Sequence, residues 1–231
     1  MIFCKESAVQ QVNRLLYIYD GLSVEKMLDT EIVLSGHILV NRTALGYQLY
    51  KEYQIRIVLP LCSNVLPYVI DSGNQIDKSY PHRYADGQLC LETDTAIRIY
   101  FLNGFNLETW MRDFVEPYYF SYEYYQRYGV FPFGERAHGI EGVLQTYGEA
   151  FNEPDYVKVF RLMEFIQFGH YRGHLPCPCG SGKKMRSCHG QSIKKFFESN
   201  NLKAVAQNDY KSIKEVLVAY HEQSGNTKAT K

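Results

Sequence analysis

The runs EIVLSGHILVN (residues 31–41) and YQLYKEYQIRIVLP (residues 47–60) decide the fold class. Both alternate and are rich in β-branched and aromatic side chains, as half-buried strands are. Pro60 ends the second run, because proline has no N–H to give a ladder. Upstream, ESAVQQVNRLLYIYD (6–20) sets Val9, Val12, Leu15, Leu16 and Tyr19 at helical spacing, so an amphipathic helix comes first. Downstream, LPYVIDSG (66–73) reads as a short strand. Residues 74–90 are polar and aperiodic, hence a loop. TAIRIYF (95–101) alternates again and reads as another strand.

From Leu107 the period changes. Leu107, Trp110, Met111, Phe114 and Val115 predict a helix that Pro117 breaks or bends. Tyr118, Tyr119, Phe120, Tyr122, Tyr124, Tyr125 and Tyr128 follow, a density better explained by packing than by a cofactor. Residues 140–151 and 155–169 read as helices. SIKKFFESN and NDYKSIKEVLVAYHEQ suggest two short ones, and SGNTKATK should fray. Helix, strand meander, irregular loop and helices make an α+β fold.

The chain has 231 residues, enough for one medium domain and a small one. No apolar stretch approaches the length of a membrane-spanning helix, and the N-terminus has no apolar signal segment. Charge is uneven. Residues 1–175 hold 15 Lys+Arg against 21 Asp+Glu, whereas residues 176–231 hold 10 against 4. A basic tail can meet nucleic acid, an acidic protein or the body itself, or simply be solvated. Its lysines are interrupted by apolar residues rather than lining an aromatic groove, so nucleic acid is not the expected partner.

Of six cysteines, Cys4, Cys62 and Cys90 are scattered, while Cys177, Cys179 and Cys188 crowd beside His189. Such a cluster reads as metal ligation in a reducing compartment, so a cytoplasmic protein is expected. In CPCGSGKKMRSCHG (177–190), three thiolates and an imidazole fill a tetrahedral shell, which fits structural rather than catalytic zinc. Gly180 and Gly182 tolerate the positive φ of a tight turn. Lys183, Lys184 and Arg186 offset thiolate charge. So short a segment draws most of its folding free energy from the metal. The phosphate-loop spacing is not met by GSGKK. His170 and His174 read as linker or surface residues.

These fourteen residues resemble the SEC-C motif, the zinc-binding tail of the preprotein-translocase motor SecA. The resemblance implies Cys177, Cys179, Cys188 and His189 as ligands of a structural Zn²⁺, in a module that docks a protein.

YPHRYADGQLCLE (80–92) poses a sharper question. Cys90 sits between Leu89 and Leu91, after the turn signal Asp86-Gly87. It is either a small hydrophobe or a nucleophile, and a nucleophile needs thiolate character. The segment is similar to the active-site segment of ubiquitin-conjugating enzymes. Aligned on Cys90, Tyr80-Pro81-His82 falls on that family's His-Pro-Asn, and Gly87 on its loop glycine. Leu59-Pro60 and Leu66-Pro67 resemble its proline-rich strand crossing. The pattern looks like the divergent bacterial branch of CBASS-type antiphage operons. This resemblance implies a ubiquitin-conjugating-enzyme-like fold and a transferase that carries an acyl group as a Cys90 thioester. The transferred group would be a protein C-terminus, that of the operon's nucleotidyltransferase, and the acceptor an amine.

His82 replaces the family's asparagine and could donate to the oxyanion as an amide does. Asp86 shapes the turn or orients the amine. In GVFPFGERAHGIEG (129–142), His138 is a base for the amine or a loop histidine beside Glu135 and Arg136. Two rivals remain: a non-catalytic zinc-anchored adaptor of the same fold, and a cysteine hydrolase lacking an evident orienting acid. The expected organisation is a conjugating-enzyme-like domain over 1–150, a helical linker over 151–175, the zinc motif over 176–190 and a basic helical tail over 191–231.

Overall fold

A computed structural model describes residues 3–137 and 139–226. The chain forms two compact units. The first comprises residues 1–92 and 100–135, the second residues 93–99 and 136–231.

The first unit opens with helix α1 (Lys5–Ile18), which buries Ala8, Val12 and Leu15 on one face. Four antiparallel strands follow in the order β1-β2-β3-β4: β1 (Leu22–Met27), β2 (Glu31–Ala44), β3 (Tyr47–Pro60) and β4 (Tyr68–Asp71). The alternation of residues 31–60 sets the register. Ile32 opposes Leu59, Leu34 opposes Ile57 and Ile38 opposes Tyr53, so one face carries the apolar side chains. The other face carries His37, Leu39, Tyr50 and Gln54, all exposed.

Helix α4 (Glu116–Tyr128) packs on β2 and β3. Tyr118, Tyr119 and Tyr122 belong to the core: Tyr119 is fully buried and stacks on Tyr53 with ring centroids 4.1 Å apart. Two carboxylates fasten its polar side. Glu123 accepts from Tyr53 Oη at 2.7 Å and Lys51 Nζ at 2.6 Å, and Glu116 accepts from Tyr19 Oη at 2.6 Å. Pro117 bends rather than breaks the helical run. Helix α3 (Leu107–Trp110) continues through a wide π-helical turn, Met111–Val115, into α4. The proline cannot donate to the carbonyl four residues back, and a wider turn relieves the clash with its ring.

One expected strand is a helix. TAIRIYF lies largely in α2 (Asp94–Tyr100). Thr93 begins it, accepting from Ala96 N through Oγ1 at 3.3 Å and from Ile97 N through its carbonyl at 3.1 Å. Tertiary packing then outweighs β-branching: Thr95, Ile97 and Arg98 are buried. The fourth strand is instead β1, whose residues after Leu22 are all exposed, which is why no alternation marks it.

In the second unit, α5 (Gly139–Phe151), α6 (Tyr156–Phe168), α7 (Gly190–Glu198) and α8 (Asn200–Asn226) share one core. Thr95 Oγ1 and Tyr147 Oη both donate to Asp209 at 2.8 Å, joining α2 and α5 to α8. Helix α8 is one long helix that starts at residue 200, because Leu202, Ala206, Tyr210 and Ile213 keep a buried stripe over its first half. The last five residues of SGNTKATK lie outside the described residues. Among the described residues no helix is long and apolar enough to cross a membrane.

Candidate functional site

Two candidate sites stand out, one in each unit. In the second unit, Cys177, Cys179, Cys188 and His189 bring one ligand atom each to within 4.8 Å of one another, close enough to bind a metal ion. Cys179 Sγ and Cys188 Sγ are 3.6 Å apart, and His189 Nδ1 is 3.3 Å from Cys188 Sγ and 3.5 Å from Cys177 Sγ. Tetrahedral bonds of ~2.3 Å place sulfurs about 3.8 Å apart, so the spacings fit a closed four-ligand shell.

The local chain builds this shell. Cys177 N donates to Lys183 O at 2.8 Å and Met185 N to Leu175 O at 2.8 Å, a narrow ribbon around the turn. Gly180 and Gly182 take φ +83° and +74°, the conformation that the turn needs and that side chains resist. A 3₁₀ turn, Met185–Ser187, delivers Cys188 and His189 just ahead of α7. Cys177, Cys179 and Met185 are buried in the same apolar core as Phe151, Leu162 and Phe196. The segment is therefore anchored by packing as well as by any ion. His170 and His174 are exposed and lie outside the ligand cluster.

Burial pushes the Cys177 thiol up to about 11. At Cys179 burial also raises, but hydrogen bonds from the hydroxyl and backbone of Ser181, with those of the Cys177 and Cys188 thiols, together hold the thiol down to about 6. Ion binding requires deprotonated ligands, so affinity falls as pH falls.

Glu153 is part of this site, and no sequence signal marked it. Its Oε2 lies 3.4 Å from His189 Nε2, the nitrogen turned away from the thiols. Glu153 is buried, and its other oxygen accepts from Asp155 N at 3.1 Å. A carboxylate behind a ligating imidazole fixes the ring and raises its basicity. Glu153→Gln is expected to weaken metal binding by about 10- to 100-fold without abolishing it. Competition against a chromophoric chelator measures this, and an unchanged affinity would remove Glu153 from the site.

In the first unit, the loop after β4 returns beside it. Asp71 N donates to Gly87 O at 2.9 Å and Leu89 N to Val69 O at 2.9 Å. The loop then closes on itself: Tyr84 N donates to Gln88 O at 2.8 Å, and Cys90 N to His82 O at 2.8 Å. Arg83 thus bridges Leu89, and the Cys90 N–His82 O bond carries the same antiparallel register one residue outward, which places His82 across from Cys90. Opposed residues of an antiparallel pair project from the same face, with Cβ atoms about 5 Å apart. Gly87, at φ +89°, makes the turn, and Asp86 Oδ1 accepts from Gln88 N at 3.0 Å. Asp86 thus has a loop-shaping contact within its own turn.

The loop is held from below. Asp71 is buried and accepts from Gln75 N and Ile76 N at 3.0 Å, with Arg83 Nε 3.6 Å away. Tyr118 Oη donates to His82 O at 3.0 Å. Tyr80 is buried against Tyr118, Tyr122 and Tyr125. Removing one member of a buried ion pair costs about 3 kcal/mol or more. Asp71→Ala is expected to lower stability by about that amount, read by urea unfolding followed through Trp110 in the same unit. A change under 1 kcal/mol, on the order of a surface substitution, would deny it the anchoring role.

Cys90 is half-buried. Burial raises its thiol, the Tyr84 hydroxyl bond lowers it, and Glu92 raises it, with a net rise. His82 packs edge-on against Phe131 with ring centroids 5.4 Å apart, and its Nε2 lies 3.7 Å from Glu135 Oε1. His138 lies outside the described residues. Compared with protein-family models, with curated proteins and with solved structures, the chain matches none of them.

Proposed function

We propose that the chain is a ubiquitin-conjugating-enzyme-like acyl carrier and transferase, working through a thioester on Cys90. The observation that carries this is the pinned loop beside β4, which sets Cys90 directly opposite His82. A leading helix and a four-stranded antiparallel meander, the order that the resemblance implies, support it. The raised thiol holds Cys90 mostly protonated, which slows its loading and also its departure. A thiol of higher pKa is a slower leaving group, so its thioester survives longer before transfer.

The mechanism has three steps. Cys90 sulfur accepts an acyl group from an activated donor. A lysine amine attacks the thioester carbonyl. His82, on the same face, stabilises the tetrahedral oxyanion. The group carried would be a protein C-terminus, that of a nucleotidyltransferase in a CBASS-type antiphage operon. The Cys₃His shell would hold a structural zinc in a SEC-C-like module that docks a protein partner. Cytoplasmic thiol chemistry accords with both sites.

The test offers a fluorescein-labelled peptide thioester to the protein in the presence of free lysine. Lysine amide as the main product is expected. Free acid alone, at a rate set by Cys90, would contradict transfer and make the protein a hydrolase.

A further inference from the structure

The mechanism above leaves one partner of His82 unused. Glu135 Oε1 faces His82 Nε2 at 3.7 Å, within ion-pair range. Phe131 and Tyr80 flank the imidazole, and its side chain is 18% exposed, so the ring is confined between aromatic walls and a carboxylate. We infer that Glu135 is a positioning residue that sets the tautomer of His82 and makes the imidazole the proton carrier for transfer from Cys90. The inference rests on the reading of Cys90 as an acyl carrier.

A carboxylate beside Nε2 favours a proton on that nitrogen. Neutral His82 then presents the Nδ1 lone pair, which accepts rather than donates. A nucleophile, a histidine opposite it and an acid behind the histidine form the arrangement by which a base is oriented. In the transfer step, the amine nitrogen bonds to the thioester carbonyl carbon and its proton passes to Nδ1. The imidazolium, stabilised by Glu135, now donates toward the oxyanion. As the tetrahedral intermediate collapses, the carbon–sulfur bond breaks and Nδ1 returns the proton to the Cys90 sulfur. Amine and thioester become amide and thiol, with no proton left over. Burial of Cys90 disfavours a free thiolate, so a proton donor at this sulfur aids its departure.

Other titratable groups surround the pair. Tyr80 precedes His82, Tyr84 reaches the Cys90 sulfur, Glu92 follows Cys90, and Tyr118 and Tyr125 approach from α4. Burial pushes Tyr80 and Tyr118 further above their ordinary value, so neither ionises near neutral pH.

The experiment loads Cys90 by exchange with a short peptide thioester and follows single-turnover discharge to free lysine from pH 5 to 9. Wild type is expected to show an inflection from the histidine. His82→Gln should lose it and discharge about 100-fold more slowly. Glu135→Gln should move the inflection to lower pH and slow discharge several-fold, and Glu135→Asp should restore part of the shift. Circular dichroism confirms that each variant is folded; Glu135 is partly exposed, so its amide leaves packing intact. Loading with an unchanged profile in both His82→Gln and Glu135→Gln overturns the inference and leaves the carrier reading standing. Failure of wild-type Cys90 to load defeats both.

Discussion

Serine in place of Cys177 or Cys188 is expected to lower the stability of the second unit by about 4 kcal/mol when zinc is buffered at a thousandfold over its dissociation constant. An ion bound by the folded shell alone would supply that linkage, and the four ligand atoms lie within 4.8 Å of one another, close enough to hold one. Removing one sulfur opens the shell and discards that linkage. It also leaves the other thiols buried beside Phe151 and Phe196 without the ion that suits them as anions. Helical circular dichroism in urea measures the change. A strong chelator added to wild type should reproduce it, and zinc should rescue wild type but not the variant. Equal midpoints with and without zinc would show that apolar packing alone holds the unit.

Alanine at Cys90 is expected to reduce acyl transfer to background while the protein stays folded. The substitution deletes one half-buried sulfur and retains the backbone bond from residue 90 to His82 O, so it should cost only about 1 kcal/mol. The turn at Gly87, the Asp71–Arg83 pair and the Tyr80 cluster all remain. Activity loss without stability loss is the signature that separates a nucleophile from a core cysteine. A core role would show the reverse, a lower unfolding midpoint with transfer intact.

Much of the architecture was legible in the sequence because it rests on local pattern. The β2–β3 hairpin, α1, α5 and α6 each carry a clean period, and the metal cluster is written in fourteen consecutive residues. What stayed hidden depends on tertiary context. TAIRIYF has the composition of a strand, and its helix follows from the Thr93 cap and from Thr95 bonding to Asp209, 114 residues away. β1 has an exposed edge and no alternation to betray it. Glu153 and Glu135 reach their histidines across 36 and 53 residues of chain, distances over which spacing carries no information. The tyrosine-rich stretch was readable as packing, but not that Glu123 would fasten it to Tyr53 of β3 and Glu116 to Tyr19 at the end of α1.

The most direct measurement is the intact mass, under denaturing and non-reducing conditions, of wild type, Cys90→Ser and Cys90→Ala, each co-expressed with its flanking genes. An oxygen ester outlasts a thioester, so Cys90→Ser should trap the carried group. An added mass on Cys90→Ser, absent from Cys90→Ala and matching a protein C-terminus, is the predicted result. No adduct on any form, with the neighbouring proteins shown to be present, would contradict the acyl-carrier account and favour a metal-anchored binding protein.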